Sequence, residues 1–213
     1  MTFSPEILLY GKTLVGVLAI VNPLGALPIF LSLTGDRDRA EKNYIARTSA
    51  ISVAIILLLS MWAGEIILSF FGISISAFRA GGGLLILLMA ISMLHAKQST
   101  VRQNQSESNE SSEKENIAVV PLAIPLMAGP GAISLVIVDA NKAGSLLDKL
   151  ILSADILIIA IVVWGALKLA TPIGNKLGTT GLNIATRIMG LLLAAIAFEM
   201  LAAGLVKLLP GLA

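Results

Sequence analysis

The stretch that decides the fold is Asn22-Pro23-Leu24-Gly25-Ala26-Leu27-Pro28, which interrupts a segment without charge. This segment runs from Lys12 to Asp36, and about 20 such residues are enough to cross a bilayer as a helix. Each interior proline removes a backbone hydrogen bond and costs about 3 kcal/mol in an ordinary helix. Because hydrocarbon holds no water, protein or a wet cavity must satisfy the freed carbonyls. The stretch therefore predicts a broken membrane helix.

A second break of the same kind lies about half a chain further on. It reads Gly129-Pro130-Gly131-Ala132-Ile133-Ser134, and it follows Pro121 and Pro125. The position numbers of Pro130 and Pro23 differ by 107 (130 − 23). Glycines beside the prolines let the backbone bend and let another group approach closely.

Two further pairs of residues recur at nearly the same displacement. The position numbers of Arg187 and Arg79 differ by 108 (187 − 79), and those of Met200 and Met93 differ by 107 (200 − 93). In each half of the chain an apolar run begins beside the arginine and ends beside the methionine, from Arg79 to Met93 and from Arg187 to Met200. A shared displacement over several pairs indicates an internal repeat.

Composition excludes an ordinary soluble domain. Of 213 residues, 56% are hydrophobic and 13% are charged, against about 25% charged in soluble domains. The net charge of +2 and the lack of a basic cluster argue against a nucleic-acid partner. The absence of cysteine and a single His95 argue against disulfides, thiol chemistry and a metal site, so we expect no cofactor.

The fold class that follows is an all-α membrane protein with six transmembrane helices. The predicted spans cover residues 13–35, 48–71, 80–96, 116–138, 150–167 and 188–206. They form a first three-helix repeat at 1–96 and a second at 117–213. The polar stretch 97–116 is predicted to be a disordered linker, because it has too few apolar residues to order itself. With three spans each, the two repeats must enter the membrane in opposite orientations.

Basic residues in the loops predict the orientation. Ten lie after spans one, three and five, namely Arg37, Arg39, Lys42, Arg47, Lys97, Arg102, Lys114, Lys168, Lys176 and Arg187. Five lie on the other side, namely Lys12, Arg79, Lys142, Lys149 and Lys207. Because cytoplasmic loops carry the excess, we expect both termini outside the plasma membrane, in the periplasm of a Gram-negative host.

Corresponding breaks in two halves of a membrane protein are the best sequence indication of a substrate site. Exposed amides at a break can hold an anionic group, and exposed carbonyls can hold a cation. The predicted substrate-binding residues are Asn22, Pro23, Gly25, Pro28, Pro125, Gly129, Pro130, Gly131 and Ser134. The alternative is that the breaks only shape the bundle, because proline and glycine are frequent in membrane helices.

Three charged residues are candidates for coupling or gating: Glu199, Arg79 and Arg187. Glu199 lies 12 residues after Arg187, about 18 Å along a helix, and therefore near the midplane if the arginine marks an interface. A charge there costs at least about 2.5–3.5 kcal/mol, so Glu199 must be protonated, paired or in contact with water. A neutral, hydrogen-bonded carboxyl remains the alternative for Glu199, and anchoring to head groups remains the alternative for the arginines.

The two proline-containing stretches, together with Arg187-Ile188-Met189-Gly190, resemble the MarC family over essentially the whole chain. The stretch Pro121-Leu122-Ala123-Ile124-Pro125-Leu126-Met127-Ala128-Gly129-Pro130-Gly131-Ala132-Ile133-Ser134 is its most specific element. The resemblance implies six transmembrane helices in the inner membrane of a prokaryote. Some members of the family are regarded as transporters of neutral amino acids, so the resemblance also implies a transporter.

The sequence as a whole favours a secondary transporter of a small neutral solute, with a neutral amino acid as the candidate. A membrane scaffold without a substrate is the alternative. An enzyme is not expected, because no pair of nucleophile and base is evident, and the Walker A motif of ATP-driven transport is absent. The expected partners are the lipid bilayer and the solute.

Overall fold

The computed structural model describes residues 5–95, 127–209 and 211, and side chains from Tyr10 onward. Within these ranges every regular element is helical. The helices are α1 (Pro5–Val21), α2 (Pro23–Thr34), α3 (Arg39–Phe70), α4 (Ile75–Leu94), α5 (Pro130–Lys142), α6 (Leu146–Lys168) and α7 (Ala170–Leu208). This confirms an all-helical chain. The predicted linker 97–116 and most of the first half of span four lie outside the described residues.

Five segments of the described chain are long and apolar enough to cross a membrane. They are Tyr10–Thr34, which joins α1 to α2, and the helices α3, α4, α6 and α7. Half of the most apolar window of Tyr10–Thr34 is buried, against 28–33% in the other four segments. The first broken helix is therefore the most enclosed of the five. Large apolar side chains that remain exposed, such as Ile66 and Leu191, suit a protein whose outer surface faces lipid.

Helix starts follow from local capping chemistry. Asp38 accepts a hydrogen bond from the backbone N–H of Glu41 and so caps α3. Ser145 caps α6 through a reciprocal capping box with Asp148. Such caps satisfy backbone donors that have no partner within the helix. The position numbers of the two caps differ by 107 (145 − 38), and so do those of the prolines that begin α2 and α5 (130 − 23).

Helices α4 and α7 pack antiparallel with very close backbones. A Cβ on Gly83 would lie 2.8 Å from the backbone nitrogen of Leu201, whereas a Cβ on Gly190 would lie 3.1 Å from the carbonyl oxygen of Ala90. Three residues further along each helix from the Gly83 contact, a Cβ on Gly204 would lie 2.8 Å from the backbone nitrogen of Ala80. Small residues allow this approach, which supplies much of the packing energy between helices in lipid.

The two ends of the bundle can be defined by the helices that begin and finish there. At one end α1, α4 and α6 begin while α3, α5 and α7 finish, and we call it the Tyr10 end. At the opposite end α2, α4 and α6 finish while α3 and α7 begin, and we call it the Arg39 end.

Candidate functional site

Asn22 forms the hinge of the first broken helix. It is the single residue between α1 and α2, and its backbone is left-handed at φ 48° and ψ 64°. Its side chain is 4% exposed. The amide oxygen Oδ1 accepts a hydrogen bond of 3.1 Å from the Gly25 N–H and thereby caps α2. Asparagine suits this position because it tolerates the left-handed region and caps helices well.

The neighbours of Asn22 explain the remainder of the motif. Pro23 is buried at the first turn of α2, where its missing N–H costs nothing. A Cβ on Gly25 would overlap the Asn22 amide, so only glycine leaves room for the cap. Pro28 is half-buried within α2. The amide nitrogen Nδ2 of Asn22 donates to the sulfur of Met93 on α4, at 3.5 Å.

We expect Asn22→Ala to lower the free energy of unfolding by about 2–3 kcal/mol, through loss of the cap and strain of an ordinary residue in the left-handed region. Asn22→Gly keeps the backbone geometry and should cost a few tenths of a kcal/mol. Thermal unfolding of both variants in detergent measures the difference. Equal losses would show that the hinge conformation does not determine the residue type.

The second break also has a proline at the start of its helix, but its N-cap residue is a glycine, which has no side chain to cap the helix. Gly129 precedes α5 in an extended conformation (φ −78°, ψ 177°), and Pro130 begins the helix. Gly131 packs against Ile86 of α4 so closely that a Cβ would lie 2.5 Å from the Ile86 Cγ1. Ser134, 2% exposed, lies against Gly82 of the same helix. Pro125 lies outside the described residues.

Helix α4 therefore contacts both breaks, through Met93 near one end and Gly82 and Ile86 further along. Pro130 and Ser134 also line an open, mainly apolar groove of about 610 Å³ between α4 and α5.

The predicted coupling residues lie away from the breaks. Glu199 is exposed on α7, next to Phe198, which is also exposed. Arg187 is exposed on the same helix towards the Arg39 end. Arg79 is half-buried near the start of α4, and its Nε is buried without a hydrogen-bond partner. The two arginines thus lie at opposite ends of the α4–α7 pair.

A polar cluster lies at the Tyr10 end, formed by residues to which the sequence alone gave no role. Asp139 of α5 is 8% exposed. It accepts a hydrogen bond of 3.0 Å from the Thr13 hydroxyl of α1 and pairs with Lys142 at 2.5 Å. The Tyr10 hydroxyl donates to Asp148 of α6 at 2.7 Å. These bonds join α1 to α5 and to α6.

Helix α3 is bridged to its neighbours at the same end. The Trp62 indole N–H donates to the Ser153 hydroxyl of α6 at 3.3 Å, and the Lys149 ammonium lies 5.9 Å from the Trp62 ring centroid. Asn141 of α5 donates to Glu65 at 2.8 Å. Polar contacts from four helices therefore close the Tyr10 end.

The Arg39 end of the α3–α6 pair is open instead. A cavity of about 750 Å³ separates the first turn of α3 from the last turn of α6. Its wall is basic and partly apolar, formed by Arg39, Lys42, Asn43, Lys168, Leu169 and Phe30 among others. At this end Lys42 donates to the Gly35 carbonyl, and Arg37 forms an ion pair with Glu41.

This architecture defines a multi-pass helical membrane protein with interrupted helices. Its chain matches the profile of the MarC family integral membrane proteins over residues 7–209. The chain therefore belongs to the MarC family.

Relatives from distant organisms match nearly the whole chain. UPF0056 membrane protein YhcE of Escherichia coli (strain K12) is 42% identical over 203 residues, which cover 95% of this chain and 94% of the relative. UPF0056 membrane protein YvbG of Bacillus subtilis (strain 168) is 38% identical, with 93% and 94% covered. UPF0056 membrane protein MJ1677 of Methanocaldococcus jannaschii is 36% identical, with 89% and 92% covered. No solved structure matches the chain.

Proposed function

We propose that this protein is a secondary transporter of a small neutral solute, with neutral amino acids as the substrate class, and that it works by alternating access. One observation carries the proposal. The α3–α6 pair is bridged by polar contacts at the Tyr10 end and is separated by a cavity of about 750 Å³ at the Arg39 end. A bundle that is closed at one end and open at the other resembles one state of an alternating-access cycle.

An inverted repeat would give such a bundle its second state. The first residues of α3 and α6 differ in position number by 107 (146 − 39), so these helices are equivalent in the repeat. Gly83 contacts Ala197 and Leu201. Adding 107 to the first position number and subtracting 107 from the other two gives Gly190, Ala90 and Leu94, which are also in contact. The antiparallel packing of α4 and α7, which would be equivalent helices in such a repeat, supports halves of opposite orientation.

The orientation predicted from the basic loops makes the Arg39 end cytoplasmic. The described conformation would then be open towards the cytoplasm. In the opposite state, the first turn of α3 approaches the last turn of α6 and closes the Arg39 end, and the bonds at the Tyr10 end break. Each of those bonds is a single hydrogen bond or ion pair, worth about 0.5–3 kcal/mol, so the exchange needs no large energy input.

The substrate class follows from the chemistry of the breaks. A zwitterion offers a carboxylate to helix N-termini and an ammonium to free carbonyls or to a carboxylate. The Asn22 amide has two N–H donors, and the donor contact described for it reaches only a thioether sulfur at 3.5 Å. One of these donors can therefore bind a substrate carboxylate while Oδ1 keeps its bond to the Gly25 N–H. The predicted roles of Glu199, Arg79 and Arg187 in coupling or gating belong to the same proposal.

Uptake into proteoliposomes tests the proposal. The purified protein should accumulate at least one labelled neutral amino acid from a panel, and it should not hydrolyse ATP. We expect Asn22→Gly, which preserves the hinge, to reduce uptake by about tenfold or more, because a hydrogen bond to a charged group contributes about 1.5–3 kcal/mol. Lysine and glutamate serve as charged control substrates.

A membrane scaffold is the competing function. If no solute moves under a pH, sodium or electrical gradient while the protein is folded in the vesicles, the scaffold becomes the better explanation. Undiminished uptake by Asn22→Gly would remove the first break from the substrate site, although transport itself would stand.

A further inference from the structure

We propose that Asp155 of α6 is a proton-binding residue, reached from the Tyr10 end through the polar cluster of Thr13, Asp139 and Lys142. Asp155 lies nine residues into α6 (155 − 146), about 14 Å along the helix from its first residue. Its Oδ2 is buried and has no hydrogen-bond partner. An ionisable group within a membrane span is costly and is therefore a candidate functional site.

Asp139 and Asp155 differ in how their charges are compensated. Asp139 has a cation at 2.5 Å and a hydroxyl donor at 3.0 Å. The buried oxygen of Asp155 has neither, so its ionised form is paired with nothing on that side. Binding of a proton removes the charge and supplies a donor, which makes Asp155 the member of this pair that changes state.

Two small cavities with three lining residues in common lie along the path from Asp155 towards the Tyr10 end. The cavity nearer the Tyr10 end, which we call the upper cavity, has a volume of about 100 Å³ and is lined by Tyr10, Lys142 and Asp148 among others. The deeper one, which we call the lower cavity, has a volume of about 10 Å³ and has both Asp139 and Asp155 in its wall. Thr13, Asp139 and Leu152 line both cavities. A volume of about 10–15 Å³ on this measure holds one water molecule, so a short hydrogen-bonded path can carry a proton.

The lower cavity suits a proton better than a metal ion. Hard cations require about six or more oxygen ligands. The side-chain oxygens in its wall come only from Thr13, Asp139 and Asp155, and the other lining side chains are apolar. Among the residues that the structure describes, no group of three His, Cys, Asp or Glu side chains is placed to hold a metal.

The charged and titratable surroundings of Asp155 come from several helices. Those that line the two cavities are Tyr10 on α1, Asp139 and Lys142 on α5, and Asp148 on α6 itself, whereas Glu65 on α3 is bonded to Asn141 of α5. Helices α2 and α7 also contact α6 but contribute no residue to the wall of the lower cavity. Within that wall Asp139 is the only other titratable group.

The step itself is a simple proton exchange. A hydronium ion in the cavity path transfers its proton to the Asp155 carboxylate, which yields the carboxylic acid and a water molecule, and the reverse step returns the proton. Proton binding at Asp155 stands independently of the proposed function. Its use to drive solute movement rests on that function.

Chemical labelling tests the proton site without any transport assay. A hydrophobic carbodiimide, dicyclohexylcarbodiimide, adds to protonated carboxyls in apolar surroundings and forms a stable N-acylurea. Labelling the full protein in liposomes at acidic and alkaline pH, followed by peptide mass spectrometry, should show modification at Asp155 that rises on the acidic side. Asp155→Asn should abolish this adduct, whereas Glu199→Gln should leave it in place. An unlabelled Asp155 at acidic pH, or an adduct confined to Glu199, would overturn the proposal.

Transport then separates the two proposals. In wild-type vesicles an imposed pH gradient should increase solute uptake. Asp155→Asn should give equal uptake with and without the gradient, but it should still exchange labelled for unlabelled solute across the membrane. Full pH dependence in Asp155→Asn would refute its coupling role. If wild-type vesicles transport no solute and Asp155 is nevertheless labelled, the proposed function fails and the proton site stands. Thermal unfolding confirms that each variant is folded.

Discussion

Gly83→Val is expected to destabilise the protein by about 3 kcal/mol, the upper end of the usual cost of overpacking. A Cβ at this position would lie 2.8 Å from the Leu201 backbone nitrogen and 2.9 Å from the Ala197 carbonyl oxygen. Backbone atoms of a packed helix cannot rotate away as a side chain can, so α4 and α7 must separate. The thermal unfolding midpoint in detergent, followed by the fluorescence of Trp62 and Trp164, measures the loss.

Gly81→Val is the matched control, because Gly81 is exposed and nothing lies within 4 Å of an added Cβ. It is expected to leave the midpoint unchanged or to raise it slightly, since valine has a better helix propensity than glycine. Gly190→Val should be destabilising like Gly83→Val, because Gly190 meets the equivalent atoms of α4. Similar midpoints for Gly83→Val and Gly81→Val would refute the close antiparallel contact.

Linking α3 to α6 at the Tyr10 end should abolish transport completely. The chain has no cysteine, so Trp62→Cys combined with Ser153→Cys creates one defined pair where the indole N–H now meets the hydroxyl at 3.3 Å. A short bifunctional thiosulfonate can span the space left by the indole. Because alternating access requires this end to open, the linked protein should lose uptake, and a reducing agent should restore it.

The control places both cysteines on one helix. Ser153→Cys with Leu157→Cys is linked within a single turn of α6, where Leu157 is exposed, and should transport as well as its unlinked form. Undiminished uptake by the linked Trp62 and Ser153 pair would mean that this end does not open during transport. The alternating scheme would then be abandoned, although solute movement by another route would remain testable in the same vesicles.

Features that depend on neighbouring residues were predictable from the sequence. The break at Asn22 and the start of α5 at Pro130 follow from proline chemistry and are observed where predicted. The polytopic helical class follows from the long uncharged segments, because lipid is the only environment in which so much apolar surface can remain exposed. The MarC family was recognisable from the same stretches and is confirmed.

Features that depend on distant residues were not predictable. Thr13 and Asp139 are far apart in the sequence, and their hydrogen bond exists only because α1 packs beside α5. Asp155 had one available signal, since Leu152, Ile156 and Ile159 mark the buried face of α6 and Asp155 lies beside that row. For Glu199 the spacing indicated a depth in the membrane, but not the direction of its side chain, which is exposed.

The sequence by itself determined that this protein resides in lipid and where its helices break, because hydrophobicity, proline geometry and capping act over a few residues. Tertiary structure alone decided which end of the α3–α6 pair is bridged, which glycines allow α4 and α7 to touch, and which of the described carboxylates has a buried oxygen without a hydrogen-bond partner. These properties depend on how the helices are rotated and paired, and contacts between segments distant in the chain set that arrangement.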